Sequence, residues 1–155
     1  MKKILLLAAA FIAATTQTVV FAEGDFVEER IGNLSFGIPS DWSLVSSEES
    51  DGANITVYSD DTMRLSIIYQ ESDLSDFDLS LQQGFLDIDP IIKSYEELDG
   101  YFEMTNDDYV FEGYAGNIRM FSYNQQDGTN TLAISNSLCA GEGVAYFLLG
   151  GPTAS

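Results

Sequence analysis

Four groups of carboxylates have the types and spacing to do chemistry: Asp60 with Asp61, Asp73 with Asp76 and Asp78, Asp87 with Asp89, and Asp107 with Asp108. Such groups could ligate a hard divalent cation or share general acid and base work on a glycosidic bond. Calcium wants about six to eight oxygens from a tightly turned loop, and Asp73 to Asp78 lacks the glycine and the distal bidentate glutamate of the helix–loop–helix calcium pattern. On a helix, Asp76 and Asp78 point about 200° apart, too far to share one ion. Acids near a helix start are accounted for by its dipole. No pair is held at the defined separation that glycoside hydrolysis needs. The chain has no histidine, which removes Ser–His catalysis, the usual partner of a catalytic thiol and the commonest zinc ligand. Cys139 is the only cysteine, so no internal disulfide can form. It reads as a partly buried small residue at a strand end, with intermolecular pairing as the lesser reading. No glycine loop of the phosphate-cradling kind is visible. No catalytic, cofactor-binding or metal-ligating residue is therefore assigned, and no cofactor is expected.

The elements that would position any site centre on Tyr114 to Leu149, three consecutive strands joined by tight turns. Tyr114 to Tyr123 leads through the Asp127-Gly128 pair, a strong hairpin signal, into Thr129 to Leu138. That second strand alternates, with Leu132, Ile134 and Leu138 on one face and Thr131, Ala133, Ser135 and Ser137 on the other, as a half-buried strand does. Val144 to Leu149 is apolar on both faces, which suits a strand covered on both sides. Upstream, Phe26 to Ile31 reads as an edge strand, and Leu34, Phe36 and Ile38 alternate inward. Trp42 folds back to plug one end of the core. Leu44 and Val45 start a strand, Ser46 to Gly52 reads as a polar turn, and strands follow at Asn54 to Tyr58 and Met63 to Gln70. Leu74, Phe77, Leu81, Phe85 and Ile88 then recur at helical spacing, with Ser75 as the cap, and Pro90 opens a shorter helix. Tyr101 to Met104 reads as a short strand and Asn106 to Asp108 as a turn before Tyr109 to Phe111.

The first 22 residues form a different kind of segment. A basic start, Met1-Lys2-Lys3, an apolar run from Ile4 and small or aliphatic residues at Val20-Phe21-Ala22 make an export signal cleaved after Ala22. The apolar core is interrupted by Thr15 to Thr18, short of the roughly 20 residues of a span. The mature chain, residues 23–155, is expected as one domain, secreted or otherwise extracytoplasmic, without stable membrane insertion. It keeps Arg30, Arg64, Lys93 and Arg119 against all 25 acids, so the net charge of −19 falls further on cleavage. That balance argues against nucleic acid and anionic membrane as partners and in favour of solubility or of cationic partners.

The order of elements, with Leu34-Ser35-Phe36-Gly37-Ile38-Pro39-Ser40-Asp41-Trp42, then Phe111-Glu112-Gly113-Tyr114-Ala115 and Gly143-Val144-Ala145-Tyr146-Phe147-Leu148-Leu149, resembles the Mog1/PsbP-like fold. That fold is seen in the photosystem II extrinsic protein PsbP, the Ran-binding protein Mog1 and many short exported bacterial proteins. The resemblance spans nearly all of residues 26–150. It implies an α+β fold: an antiparallel β-sheet of about six to seven strands with one or two covering helices, in members with helices on both sides. It also implies roles in binding or assembly, not catalysis, and carries no shared active-site residue.

The function expected is an exported, non-enzymatic binding or assembly module, with a protein partner or cell-surface component. The alternatives are an acidic, calcium-dependent surface protein and a carboxylate-dependent hydrolase. The family's C-terminal helix has no counterpart after Leu149, so one face of the last strand is left without cover. A continuation beyond Ser155, a second copy or the N-terminal segment from Asp25 to Ile31 could supply it, and the first is the favoured reading because Gly150-Gly151-Pro152 looks like a connector.

Overall fold

The computed structural model describes residues 2–3, 26–31, 34–50, 52–139 and 142–152. The expected leader beyond Lys2–Lys3, its cleavage point, the turn at 32–33 and the last three residues lie outside them. In chain order come β1 (Lys2–Lys3), β2 (Phe26–Ile31), β3 (Leu34–Pro39), β4 (Ser43–Ser50), β5 (Ala53–Ser59) and β6 (Arg64–Glu71). Helices α1 (Leu79–Ile88) and α2 (Pro90–Ser94) and a 3-10 turn (Tyr95–Glu97) follow, then β7 (Phe102–Phe111), β8 (Tyr114–Asn124), β9 (Asn130–Cys139) and β10 (Gly143–Pro152).

Seven strands form one antiparallel sheet in the order β4-β5-β6-β10-β9-β8-β7. Two meanders, β4 to β6 and β7 to β10, meet down the middle, where Tyr146 of β10 lies opposite Ile68 and Leu149 opposite Leu65 of β6. β2 and β3 make a separate hairpin with Val27 opposite Ile38, and Lys2–Lys3 pairs parallel to Leu34–Ser35. Local chemistry sets the tight turns. Glu112 and Gly113 take φ of 50° and 84°, as the short primed hairpin between β7 and β8 requires, and in the longer loop between β8 and β9 Gly128 takes φ of 84° while its amide donates to the Gln125 carbonyl at 2.9 Å.

The two-faced apolar pattern of β10 is satisfied by different layers. Ala145, Phe147 and Leu149 point to one side, where Phe36 and Ile38 of β3 pack on them together with Tyr58, Leu65, Ile67 and Ile134. Phe36, fully buried, meets Phe147 edge-on with ring centroids 5.9 Å apart and planes at 77°. Trp42 packs at the margin of this cluster, the plug the sequence indicated. Val144 and Tyr146 point to the other side and are covered by Leu74, Leu86 and Ile92. Farther along that side Tyr95 stacks on Phe121 at 5.3 Å. The layers are hairpin, sheet and helices, so the face of β10 expected to lack cover is covered. The N-terminal hairpin supplies it, chiefly through Phe36 and Ile38 of β3, with Phe26 of β2 packed against the same cluster. Helices lie on one side only among the described residues, where the resemblance implied both.

Several elements depart from the expected reading, each for a physical reason. α1 starts at Leu79 and is capped by Asp78, whose carboxylate accepts the Leu81 amide at 2.9 Å, so Ser75 lies outside it. The buried face of α1 is Gln82 and Leu86 with Phe85 half-buried, while Leu81 and Ile88 are 55% and 76% exposed. The face is displaced by one residue because Gln82 accepts the Ala115 amide at 2.9 Å and donates to the Phe77 carbonyl at 3.0 Å. Ser46 to Ser50 is strand, and so is Asn106 to Asp108 inside β7. Both belong to the outermost strands, whose free edge faces water and tolerates the polar residues that mimic a turn. β9 is buried on both faces: Ser135 and Ser137 lie under the helical layer almost without exposure.

Candidate functional site

The four acidic groups come apart in the fold. Asp60 closes the β5–β6 turn, its Oδ1 accepting the amides of Thr62 at 2.7 Å and Met63 at 2.6 Å. Partial burial works to raise its pKa, but those bonds outweigh it and hold the carboxyl below its ordinary value. Asp73 accepts the Ser75 hydroxyl at 2.6 Å and Asp78 caps α1. Asp87 accepts from Gln83 Nε2 at 3.3 Å, and Asp108 accepts from Asn117 Nδ2 at 2.9 Å. Among the described residues no three acids gather as metal ligands.

Asp89 is the exception in depth. It is 5% exposed, caps α2 through Oδ1 with Ile91 N at 2.8 Å, and its Oδ2 accepts the Tyr146 hydroxyl at 2.5 Å. Pro90 at the first helical position presets the turn that this cap needs. Cys139 is fully buried nearby, and burial, then the negative charge of Asp89, pushes its thiol up to about 11. The thiol is closed to the intermolecular pairing considered for it. Sequence reasoning missed Arg119, 5% exposed, which reaches Glu96 at 3.5 Å and Glu103 at 3.4 Å while Tyr101 donates to Glu103 at 2.9 Å. This network ties the 3-10 turn and β7 to β8. An arginine in an alternating strand was its only signal.

Buried phenols fix a pH dependence. Burial, then Asp89, raises the Tyr95 pKa from 10.0 to about 12; burial also raises Tyr109, whose hydroxyl donates to Asn136. Burial followed by the bond to Asp89 raises Tyr146. A phenol released more easily in the unfolded chain leaves the native state holding more protons above the unfolded pKa. Stability is therefore fully present below pH 10.0 and falls as pH rises toward about 12. Thermal melts should show the melting temperature dropping across that window and Tyr146→Phe flattening part of the drop. A melting temperature unchanged there would contradict the burial of these rings.

Two clefts among the described residues are open to ligands. One, of about 310 Å³, lies beside Leu148 and is lined by Thr62, Arg64, Ser66, Tyr123, Gln125, Thr131, Ala133, Leu148, Gly150, Gly151 and Pro152. Arg64 is exposed and forms no ion pair with another described residue, whereas Lys93 and Arg119 do. Among the described residues no carboxylate lines this cleft, in a chain with 25 acids. The second cleft, about 320 Å³, lies between the hairpin and the β4–β5 edge and brings Glu29, Arg30 and Glu49 together with Tyr58. Burial, then Glu29, raises the Tyr58 pKa. These placements were invisible in the sequence because each cleft is assembled from distant strands.

In sequence the chain matches no protein-family model and no curated protein. In structure it is similar to the solution structure of cyanobacterial PsbP (CyanoP) from Synechocystis sp. PCC 6803. The TM-score is 0.52 at 15% identity, covering 77% of this chain and 74% of that one. It is also similar to PA94, a protein of unknown function from Pseudomonas aeruginosa, with a TM-score of 0.47 at 14% identity over 84% of this chain and 85% of that one. The fold is the PsbP-like α+β fold that the sequence resemblance indicated.

Proposed function

We propose that this protein is an exported, non-catalytic binding or assembly module that engages its partner through the cleft beside Arg64. The observation that carries this reading is the charge inversion: among the described residues of a strongly acidic chain, one cleft holds an arginine without an ion pair and no acid. Binding is favoured over catalysis by what the candidate groups already do. Asp89 is taken up by its cap and by Tyr146, Cys139 is buried with its proton retained, and Arg119 is held between two glutamates. Export is supported by the segment ending at Ala22, and no helix of the described residues is long and apolar enough to cross a membrane. Intact mass of the exported protein should show a start at Glu23; Met1 retained in a membrane fraction would overturn export. Pull-downs from the extracellular fraction should recover a partner with the wild-type chain and lose it with Arg64→Glu. Equal recovery by both would move the interaction away from this cleft.

A second reading, a carboxylate-dependent hydrolase, rests on Glu29 and Glu49 sharing the other cleft. It requires turnover of a glycoside that Glu29→Gln and Glu49→Gln each abolish.

A further inference from the structure

We infer that the cleft beside Arg64 recognises a carboxylate carried on a small apolar body, an inference that rests on reading this cleft as the binding site. The register explains the space. Arg64 on β6 lies opposite Gly150 on β10, and Gly150 lies opposite Ala133 on β9, so the residues next to the arginine across the sheet have little or no side chain. A Cβ placed on Gly150 would make only ordinary contacts, the nearest being Thr131 Cγ2 at 3.4 Å, so the space beside the guanidinium is open. Leu148 and Ala133 give an apolar floor, and the Tyr123 ring, tilted on Phe121 at 6.1 Å, gives a wall.

The donors that line the cleft are unequally committed. Gln125 Nε2 donates to Thr131 Oγ1 at 2.9 Å, and Thr62 Oγ1 donates to Asp60 at 3.1 Å. The Arg64 and Ser66 side chains make no hydrogen bond to another described residue, which leaves a guanidinium fork and a hydroxyl on one strand face. A planar fork matches a carboxylate through two parallel charge-assisted bonds. A cationic ligand would meet an arginine with no acid to receive it. A neutral ligand would desolvate the guanidinium and leave it unpaired, which is costly. A polyanion would be repelled by the field of a chain with net charge −19, so a single negative charge is favoured. The volume, about 310 Å³, is at the small end of ligand sites and suits a body of one aromatic or branched aliphatic group.

The test titrates the full chain, followed by amide NMR, with 3-phenylpropionate, its neutral amide 3-phenylpropionamide, and N-acetyl-Leu-Phe carrying either a free or an amidated C-terminus. The two carboxylates should shift Gly150, Gly151 and Tyr123 and bind at least about tenfold more tightly than the matching amides, the ratio expected when a charge-assisted pair is lost. Arg64→Gln should bring the acid down to the affinity of the amide with the melting temperature unchanged. Gly150→Val should fill the floor and abolish binding of every probe while Arg64 remains. Tighter binding of the peptide acid identifies a polypeptide terminus as the source, and tighter binding of phenylpropionate a free small acid. Amides binding as tightly as acids, with the same resonances shifted, would overturn the carboxylate and leave the cleft standing as a site. No shift at the cleft with any probe would overturn both.

Discussion

Phe36→Ala should destabilise the domain by about 3–5 kcal/mol, a large part of the roughly 5–15 kcal/mol that holds a domain of this size together. Phe36 is fully buried, stands edge-on to Phe147 and, with Ile38, forms the hairpin's contribution to the cluster on that side of the sheet. Removing the ring takes away the transfer energy of a large apolar group and leaves a cavity that strands held on both sides cannot close. Chemical denaturation should show the midpoint falling with little change of slope, and a hydrophobic dye should bind to the loosened face. Stability unchanged within about 0.5 kcal/mol, the range of ordinary surface substitutions, would show that the hairpin does not cover the sheet. The last strand's face would then need a second copy, and sedimentation would reveal it.

Asp89→Ala is expected to cost about 2–4 kcal/mol. One part is the loss of the cap, whose Oδ1 accepts the Ile91 amide at 2.8 Å, worth about 1 kcal/mol. The other is the Tyr146 hydroxyl, left buried without its acceptor at about 1–3 kcal/mol. The two parts separate in a double-mutant cycle. Tyr146→Phe in the wild-type background leaves Asp89 Oδ2 without its donor, whereas Tyr146→Phe added to Asp89→Ala removes the orphaned hydroxyl and should recover stability. A double variant less stable than Asp89→Ala alone would show that the hydroxyl has another partner and that α2 is not fixed to β10 through this bond.

How far the sequence reached depends on the kind of signal. Alternation placed β3, β6 and β9 to within a few residues, because the period of two is imposed by the backbone of each strand alone, and apolar runs bounded by turn signals placed β2, β5, β8 and β10. The polar outer strands were misread because β4 and the middle of β7 have one neighbour each and little to bury, so their composition is that of a loop. The apolar stripe through Leu81 and Ile88 gave the helix but not its rotation, which one buried amide, Gln82, decides by bridging Phe77 and Ala115. For the candidate site the gap was wider. Arg64, Gly150 and Tyr123 carry no motif, and nothing in the order of residues marks them as neighbours.

By itself the sequence determined the antiparallel meander at the centre of the fold, the need of Val144 to Leu149 for cover on both sides, and an acidic composition without the residue types of histidine-dependent chemistry, while the fold class rested on the family resemblance. The meander, the two-sided cover and the composition follow from local rules: side-chain period, turn chemistry and residue types act over a few residues and can be read in place. Tertiary structure alone decided that β10 pairs with β6, that Phe36 and Ile38 supply the second cover, that Asp89 meets Tyr146, and that Arg64, without an ion pair among the described residues, stands opposite Gly150. Each is a long-range pairing, fixed by which of several apolar faces and buried polar groups satisfy one another at once, and that competition is settled only when the whole chain packs.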